Sequence, residues 1–197
     1  MSSGVAPSDN ALGLPGRYAL RAFAESDLDE LHALVERNRE NLARWLSWAQ
    51  RPGPESAREH IARALIAERE GRRVERAIVL DGGLVGDVGL YLDLDNAGGA
   101  IGYWLDLDHR GRGVMTASVR ALVRQGFEKL HLHRVEIRTD VLNRSSCAVA
   151  ERLGFQLEGV LRESYRISDG CYSDDAVYSM LASDATRPKL AERSSVA

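Results

Sequence analysis

Polar and apolar positions change period several times along the chain, and each change predicts an element. An extended segment at 18–22 comes first. Behind Asp27, the apolar residues Leu28, Leu31, Leu34 and Val35 recur at helical spacing, which predicts a helix capped by that aspartate. Leu42, Trp45, Leu46 and Trp48 predict a second helical stretch, ended by the Pro52-Gly53-Pro54 breaker. Ser56 and Glu59 have the spacing of a capping box for a third, whose apolar stripe is Ile61, Ala62, Leu65 and Ile66. Extended runs follow at 74–80 and 84–92, joined by Asp81-Gly82-Gly83, a hairpin signal. A turn at Gly98-Gly99 leads to a strand at 101–107. Then come a long helix over 114–130, a strand at 135–139, and a helix over 145–153 stopped by Gly154. Two strands around Asp169-Gly170 complete the order.

One strand, helices, three strands, helix, strand, helix and two strands make an α/β protein. Its sheet is mixed but mostly antiparallel, has about seven strands and is flanked by helices. A regular βαβαβ winding, and with it a doubly wound dinucleotide fold, is disfavoured by that order. Residues 1–16 and 183–197 are small and polar and read as a loose leader and tail around one domain over 17–182.

Composition narrows the function. The chain has 197 residues, 44% hydrophobic and 28% charged, as expected of one ordinary globular domain. No apolar run approaches the roughly 20 residues that cross a bilayer, and the first residues lack the basic and apolar regions of a secretory signal. No membrane association is expected, and a cytoplasmic location is. A net charge of −3 argues against nucleic-acid binding as the main task. Cys147 and Cys171 are too few for a structural zinc site, and the His131/His133 pair reads as surface, so no metal is expected.

The most informative segment runs from Gly102 to Thr116. A strand ends, Gly111 and Gly113 occupy the turn, and a helix begins at once. Such a turn directs successive backbone N–H groups into one concavity, where the helix terminus adds positive potential. Arg110 and Arg112 supply full charges, so the site suits a pyrophosphate. It lacks the Lys of a nucleotide-hydrolysing loop and the third glycine of a dinucleotide fingerprint, Thr116 standing there. The plain reading is a tight connection with solvated arginines.

A second segment, 140–155, joins Asn143-x-x-Ser146 to a helix ending Leu153-Gly154-Phe155. Together the two segments resemble the GNAT family of N-acetyltransferases. Arg110-x-x-Gly113 looks like that family's Q/R-x-x-G-x-G/A loop, and the second segment looks like its pantetheine-flanking helix. The resemblance covers about 18–181. Ile101 to Leu105, the exit Gly113-Val114-Met115 and the hairpin at 169–174 resemble the RimJ/RimL-like subgroup, which acetylates N-termini of ribosomal proteins. Met115 departs from the family's Gly or Ala. A glutamate common on the strand before the loop is missing near Ala100.

The resemblance implies acetyl-CoA as co-substrate, held by Trp104, Leu105, Arg110, Gly111, Arg112, Gly113, Val114, Met115, Asn143 and Ser146, between splayed strands. Backbone N–H groups near Trp104 and Leu105 are expected to stabilise the oxyanion, and Ser146 to protonate the leaving thiolate. A helix N-cap is the plain alternative for Ser146. Asn143 is read as a pantetheine anchor. Glu75 is the candidate base, with Glu68 and Glu70 as alternatives, although each also reads as a surface carboxylate. The arginines and tryptophans between 27 and 70 offer an acceptor surface, though tryptophans at this spacing are more often core. The expected acceptor is the α-amino group of a protein. The competing readings are a small amine, such as an antibiotic or polyamine, and an acyl-CoA-binding protein without catalysis. A homodimer is expected from the resemblance.

Overall fold

The computed structural model describes residues 14–50, 54–168 and 170–185. The expected leader and tail, the breaker at 52–53, the Ser56 half of the capping box and Asp169 of the last turn lie wholly or largely outside them.

The described elements begin with β1 (Tyr18–Arg21), then α1 (Leu28–Ala43), a 3₁₀ turn at Ser47–Gln50 and α2 (Pro54–Arg69). The meander β2 (Arg73–Leu80), β3 (Gly83–Asp93) and β4 (Gly98–Leu105) follows. Next are α3 (Val114–Glu128), β5 (Arg134–Asp140), α4 (Arg144–Leu153), the long hairpin β6 (Gln156–Ser168) and β7 (Cys171–Leu181), and the short α5 (Ala182–Ala185). The sheet order is β1-β2-β3-β4-β5-β7-β6, so the expected seven-stranded mixed sheet is present. Among the described residues, only β4 and β5 run parallel. They pair over Gly98–Ala100 against Arg134–Glu136 and then diverge.

Two layers cover the sheet. Val119, Leu122 and Val123 of α3 and Val149 and Ala150 of α4 pack with Val88, Leu90, Val135 and Ile137 on one face. On the other face, Leu31, Leu34 and Leu42 of α1 and Ile61 of α2 pack with Ala77, Val79 and Trp104.

Three local expectations are corrected. Leu42 belongs to α1, and Trp48 lies in the 3₁₀ turn, so the second helical stretch is one helix end and a turn. Trp48 is exposed and Trp45 half-buried, with the Arg44 guanidinium 5.4 Å from the Trp45 ring centroid, so Trp104 is the buried tryptophan. Asp27 stands at the N-cap position of α1 without capping it. Its carboxylate accepts from Arg21 at 2.6 and 2.8 Å and from the Ala24 N–H at 2.8 Å, because a buried carboxylate is better satisfied by a guanidinium fork than by one amide.

Candidate active site

The divergence of β4 from β5 opens a cleft of about 440 Å³. Tyr103, Trp104 and Leu105 form one wall, and Asn143, Ser145, Ser146 and Val149 the other. The loop 109–111 and the start of α3 close one end. Leu42, Trp45 and Leu46 of the opposite helical layer also line it, so the cleft passes through the sheet.

The loop is set by its glycines. Gly111 and Gly113 have φ of 74° and 76°, a conformation costly for a side chain, and an added Cβ on either would meet nothing within 4 Å. Gly113 is the residue before α3, and its carbonyl accepts from the Ala117 N–H at 3.0 Å. The first N–H groups of α3 therefore stand at the end of the cleft, as a pyrophosphate requires. Val114 and Met115 are buried in the first turn, so Met115 serves the core beneath the loop. Arg110 lines the cleft, and its Nε donates to the Leu105 carbonyl at 3.2 Å. Arg112 lies off the lining, exposed, and donates to the Asp108 carbonyl at 2.9 Å. Upstream, Asp106 is buried and receives the Arg37 guanidinium at 2.5 Å, while Asn38 accepts from the Leu107 N–H at 3.1 Å. These two bonds anchor the loop to α1.

The Asp106 N–H donates to Val85 of β3 at 2.8 Å. Strand alternation then turns the Leu105 N–H toward the gap and the Trp104 N–H back toward β3. Of the two backbone donors expected, Leu105 is the one that faces the cleft. The open edge of β4 fits an extended pantetheine arm as an added strand would.

Ser146 is not a helix cap. Asn143 is the N-cap of α4, its Oδ1 accepting from the Ser146 N–H at 3.3 Å and from the Ser145 hydroxyl at 2.9 Å. The Ser146 hydroxyl is left for the cleft, 2.8 Å from the Tyr103 hydroxyl. Burial raises the Tyr103 phenol, with the Ser146 bond opposing, to about 12, so it stays protonated across the working range. Tyr103 went unnoticed in sequence because an apolar strand offers no signal for one hydroxyl. Cys147 is buried, with Sγ 3.8 Å from the Asp140 carbonyl.

Glu75 is not a surface carboxylate: it is 1% exposed. It projects from β2 into a cluster with Arg73, with Asp87 of β3 and with His60 of α2. Arg73 pairs with it directly, and His60 Nε2 lies 3.9 Å from it and 3.0 Å from Asp87. Burial, with the Asp87 charge adding, pushes Glu75 up to about 7 against the pull of Arg73 and His60. The alternatives are accounted for on the surface, where Glu68 pairs with Arg76 at 2.7 Å and Glu70 with Arg72. Among the described residues, the one group of metal-ligating side chains that converge is His60, Glu75 and Asp87, without His131 or His133.

A glycine turn and helix N-terminus at the end of a cleft between two diverging strands suit an acyl-CoA-dependent transferase. Residues 17–156 match the acetyltransferase (GNAT) domain family, to which the chain belongs. It is 35% identical over 167 residues, 82% of this chain and 90% of the relative, to YdaF of Bacillus subtilis strain 168, which bears the provisional name of ribosomal N-acetyltransferase. Among solved structures, it is similar to RimL, a ribosomal L7/L12 α-N-protein acetyltransferase in complex with coenzyme A. That match has TM-score 0.82 and 28% identity and covers 88% of this chain and 98% of that one. It is also similar to MccE, a microcin C7 self-immunity acetyltransferase in complex with acetyl-CoA and AMP, with TM-score 0.81 and 26% identity over 89% and 97%. The protein is an acetyl-CoA-dependent N-acetyltransferase. Among the described residues, no helix is long and apolar enough to cross a membrane.

Proposed function

We propose that the chain acetylates the α-amino terminus of a protein, ribosomal proteins being the class named for its relatives. The observation that carries the reading is the cleft's passage through the sheet. Acetyl-CoA enters along β4 and α3, and the acceptor reaches the thioester from the α1–α2 face. Transfer is then direct. The amine nitrogen attacks the thioester carbon and a C–N bond forms. The Leu105 N–H holds the oxyanion, and the C–S bond breaks. Ser146 hands a proton to the sulfur and regains one that the nitrogen releases. Gly111, Gly113, Arg110 and the α3 terminus hold the pyrophosphate, Arg112 adding charge from outside the cleft.

An α-amine has a pKa of about 7.7–8.0 against about 10.4 for lysine, so it is the acceptor that needs least help near neutrality. The long hairpin narrows the acceptor side. The Tyr165 hydroxyl lies 2.7 Å from the Ser47 hydroxyl, and Gln50 donates to the Ile167 carbonyl at 2.5 Å. A chain terminus enters such a slot more readily than a mid-chain lysine. With coenzyme A and ribosomal proteins as reactants, the enzyme belongs in the cytoplasm.

The decisive assay offers acetyl-CoA with N-terminal peptides of ribosomal proteins, then with polyamines, aminoglycosides and aminoacyl nucleotides. Turnover of peptides is expected. Turnover of small amines alone would transfer the assignment to the reading that the MccE likeness favours, and binding without any transfer would leave a sensor.

A homodimer is part of the proposal. Strand β6 is the sheet edge and exposes Leu157, Val160 and Leu161 at 56, 47 and 45%, a row suited to a second copy of the chain. Light scattering is expected to give twice the chain mass, and one chain mass at working concentration overturns it.

A further inference from the structure

One cation in the cleft is left without a task by the transfer steps above. Ser146, Val149 and Arg152 line the cleft at three-residue spacing, so one face of α4 follows it for about 9 Å away from the reaction centre, at about 1.5 Å per residue. Arg152 Nη1 reaches across to α3 and donates to the Thr116 hydroxyl at 2.8 Å, and Thr116 lines the cleft as well. Among the described residues the guanidinium makes no other hydrogen bond and meets no carboxylate. Its neighbour Glu151 is engaged elsewhere, accepting from the Tyr178 hydroxyl at 3.2 Å. Arginines on other surfaces are neutralised: Arg21 by Asp27, Arg37 by Asp106, and Arg134 by Glu136 and Glu158. Arg152 keeps its charge for the cleft.

The surroundings point the same way. The described residues that line the cleft include Arg110 and Arg152 and no Asp or Glu, although the chain as a whole carries a net charge of −3. Arg120 stands one helical turn beyond Thr116 on α3, exposed, again with no carboxylate partner among the described residues. A cleft lined by one sign of charge concentrates the opposite sign. Acetyl-CoA carries two anionic groups. Gly111, Gly113, Arg110 and the α3 terminus account for the pyrophosphate, so the ribose 3′-phosphate is the group still without a partner. Arg152 comes from α4, across the cleft from the glycine turn, and its anchor Thr116 already lies inside α3, three residues past Gly113.

We propose that Arg152, seated on Thr116 and backed by the charge of Arg120, holds the ribose 3′-phosphate of acetyl-CoA and so separates that donor from its dephosphorylated form. The inference rests on the acetyl-CoA site described above and is independent of the acceptor. An arginine suits the task because its planar fork of N–H groups matches phosphate oxygens. One of five donors goes to the Thr116 hydroxyl, which leaves the others for the ligand. The seat is also neutral, so an arriving phosphate breaks no ion pair to reach the guanidinium. Arg152 is exposed, so the attraction is screened by salt.

The test is calorimetric titration of the full chain with coenzyme A and with dephospho-coenzyme A, which needs no acceptor. The wild type is expected to bind coenzyme A roughly tenfold more tightly, the size of one charge-assisted contact at an exposed site. Raising the salt should narrow that difference. Arg152→Gln should remove most of it by weakening coenzyme A alone, Arg152→Lys should restore part of it, and Arg120→Gln should remove a smaller share. Melting temperatures check the fold of each variant. A loss in Arg152→Gln that is equal for both ligands would assign the arginine to the pyrophosphate and overturn the proposal. Equal binding of the two ligands by the wild type would overturn it as well, and in both cases the acetyl-CoA site would stand. No binding of either ligand by the wild type would remove that site and the proposal together.

Discussion

Gly86→Ala is expected to destabilise the protein by about 2–3 kcal/mol and to cost most of its activity. Gly86 stands opposite Leu105 in the β3–β4 ladder, and a methyl group there would overlap the Trp104 carbonyl oxygen and come 3.0 Å from Leu105 Cα. Those are backbone atoms, so no rotamer change relieves the clash and β4 must move away from β3. The segment that moves carries the Leu105 N–H and the Asp106 N–H, and the second is bonded to Val85 beside the substitution. Stability and catalysis therefore fail together. Thermal unfolding is expected to fall by roughly 4–12 °C for a domain of this size. Gly111→Ala is the contrast: its methyl would meet nothing, and only the positive φ of 74° penalises it. An unchanged melting point for Gly86→Ala would show that the strands are spaced more widely than described, and the oxyanion assignment to Leu105 would lose its basis.

The turn before α3 was legible in the sequence because its determinants are contiguous: Gly111 and Gly113 take positive φ within three residues, and the helix starts at the next one. The order of elements along the chain was legible for a similar reason, since hairpin turns and helix stops are local signals. What escaped was assembled from distant parts. His60, Glu75 and Asp87 come from α2, β2 and β3, and each alone reads as a polar residue at the surface. Strand β2 hides its own signal: Val74 and Glu75 are both buried, as are Ala77, Ile78 and Val79, so helices on both faces erase the two-residue alternation that would mark a polar residue as inward. The 3₁₀ turn at 47–50 was lost because Leu42, Trp45, Leu46 and Trp48 keep helical spacing even though the chain turns. Their apolar surface is spent on the cleft wall and on His60 as well as on the core. The absence of a glutamate near Ala100 left the identity of the base open. The neighbouring strands carry acidic groups on the same face of the sheet, which one strand's sequence does not reveal.

Ser146→Ala is expected to lower kcat about 100-fold, near the low end for loss of a general acid, while the KM for acetyl-CoA stays within about twofold. The small effect on binding follows from the local structure: Asn143 caps α4 through the Ser146 N–H, which alanine retains. The effect on kcat depends on how much the sulfur needs its proton. A thiol of pKa about 8.5 leaves tolerably as a thiolate, which sets the modest size of the loss. Tyr103 makes the prediction sharper. Its hydroxyl is 2.8 Å from Ser146 Oγ and stays protonated, so it donates to Ser146 and frees the serine hydrogen to meet the sulfur. Tyr103→Phe should then cost less than Ser146→Ala, and it should cost almost nothing further in the double variant, since both changes remove one proton path. Additive losses would mean two independent donors. A larger loss from Tyr103→Phe would make the tyrosine the acid and the serine its orienting partner. Full kcat in Ser146→Ala would mean that the thiolate leaves unassisted. The acceleration would then rest on the Leu105 N–H and on delivery of a neutral amine from the acceptor face.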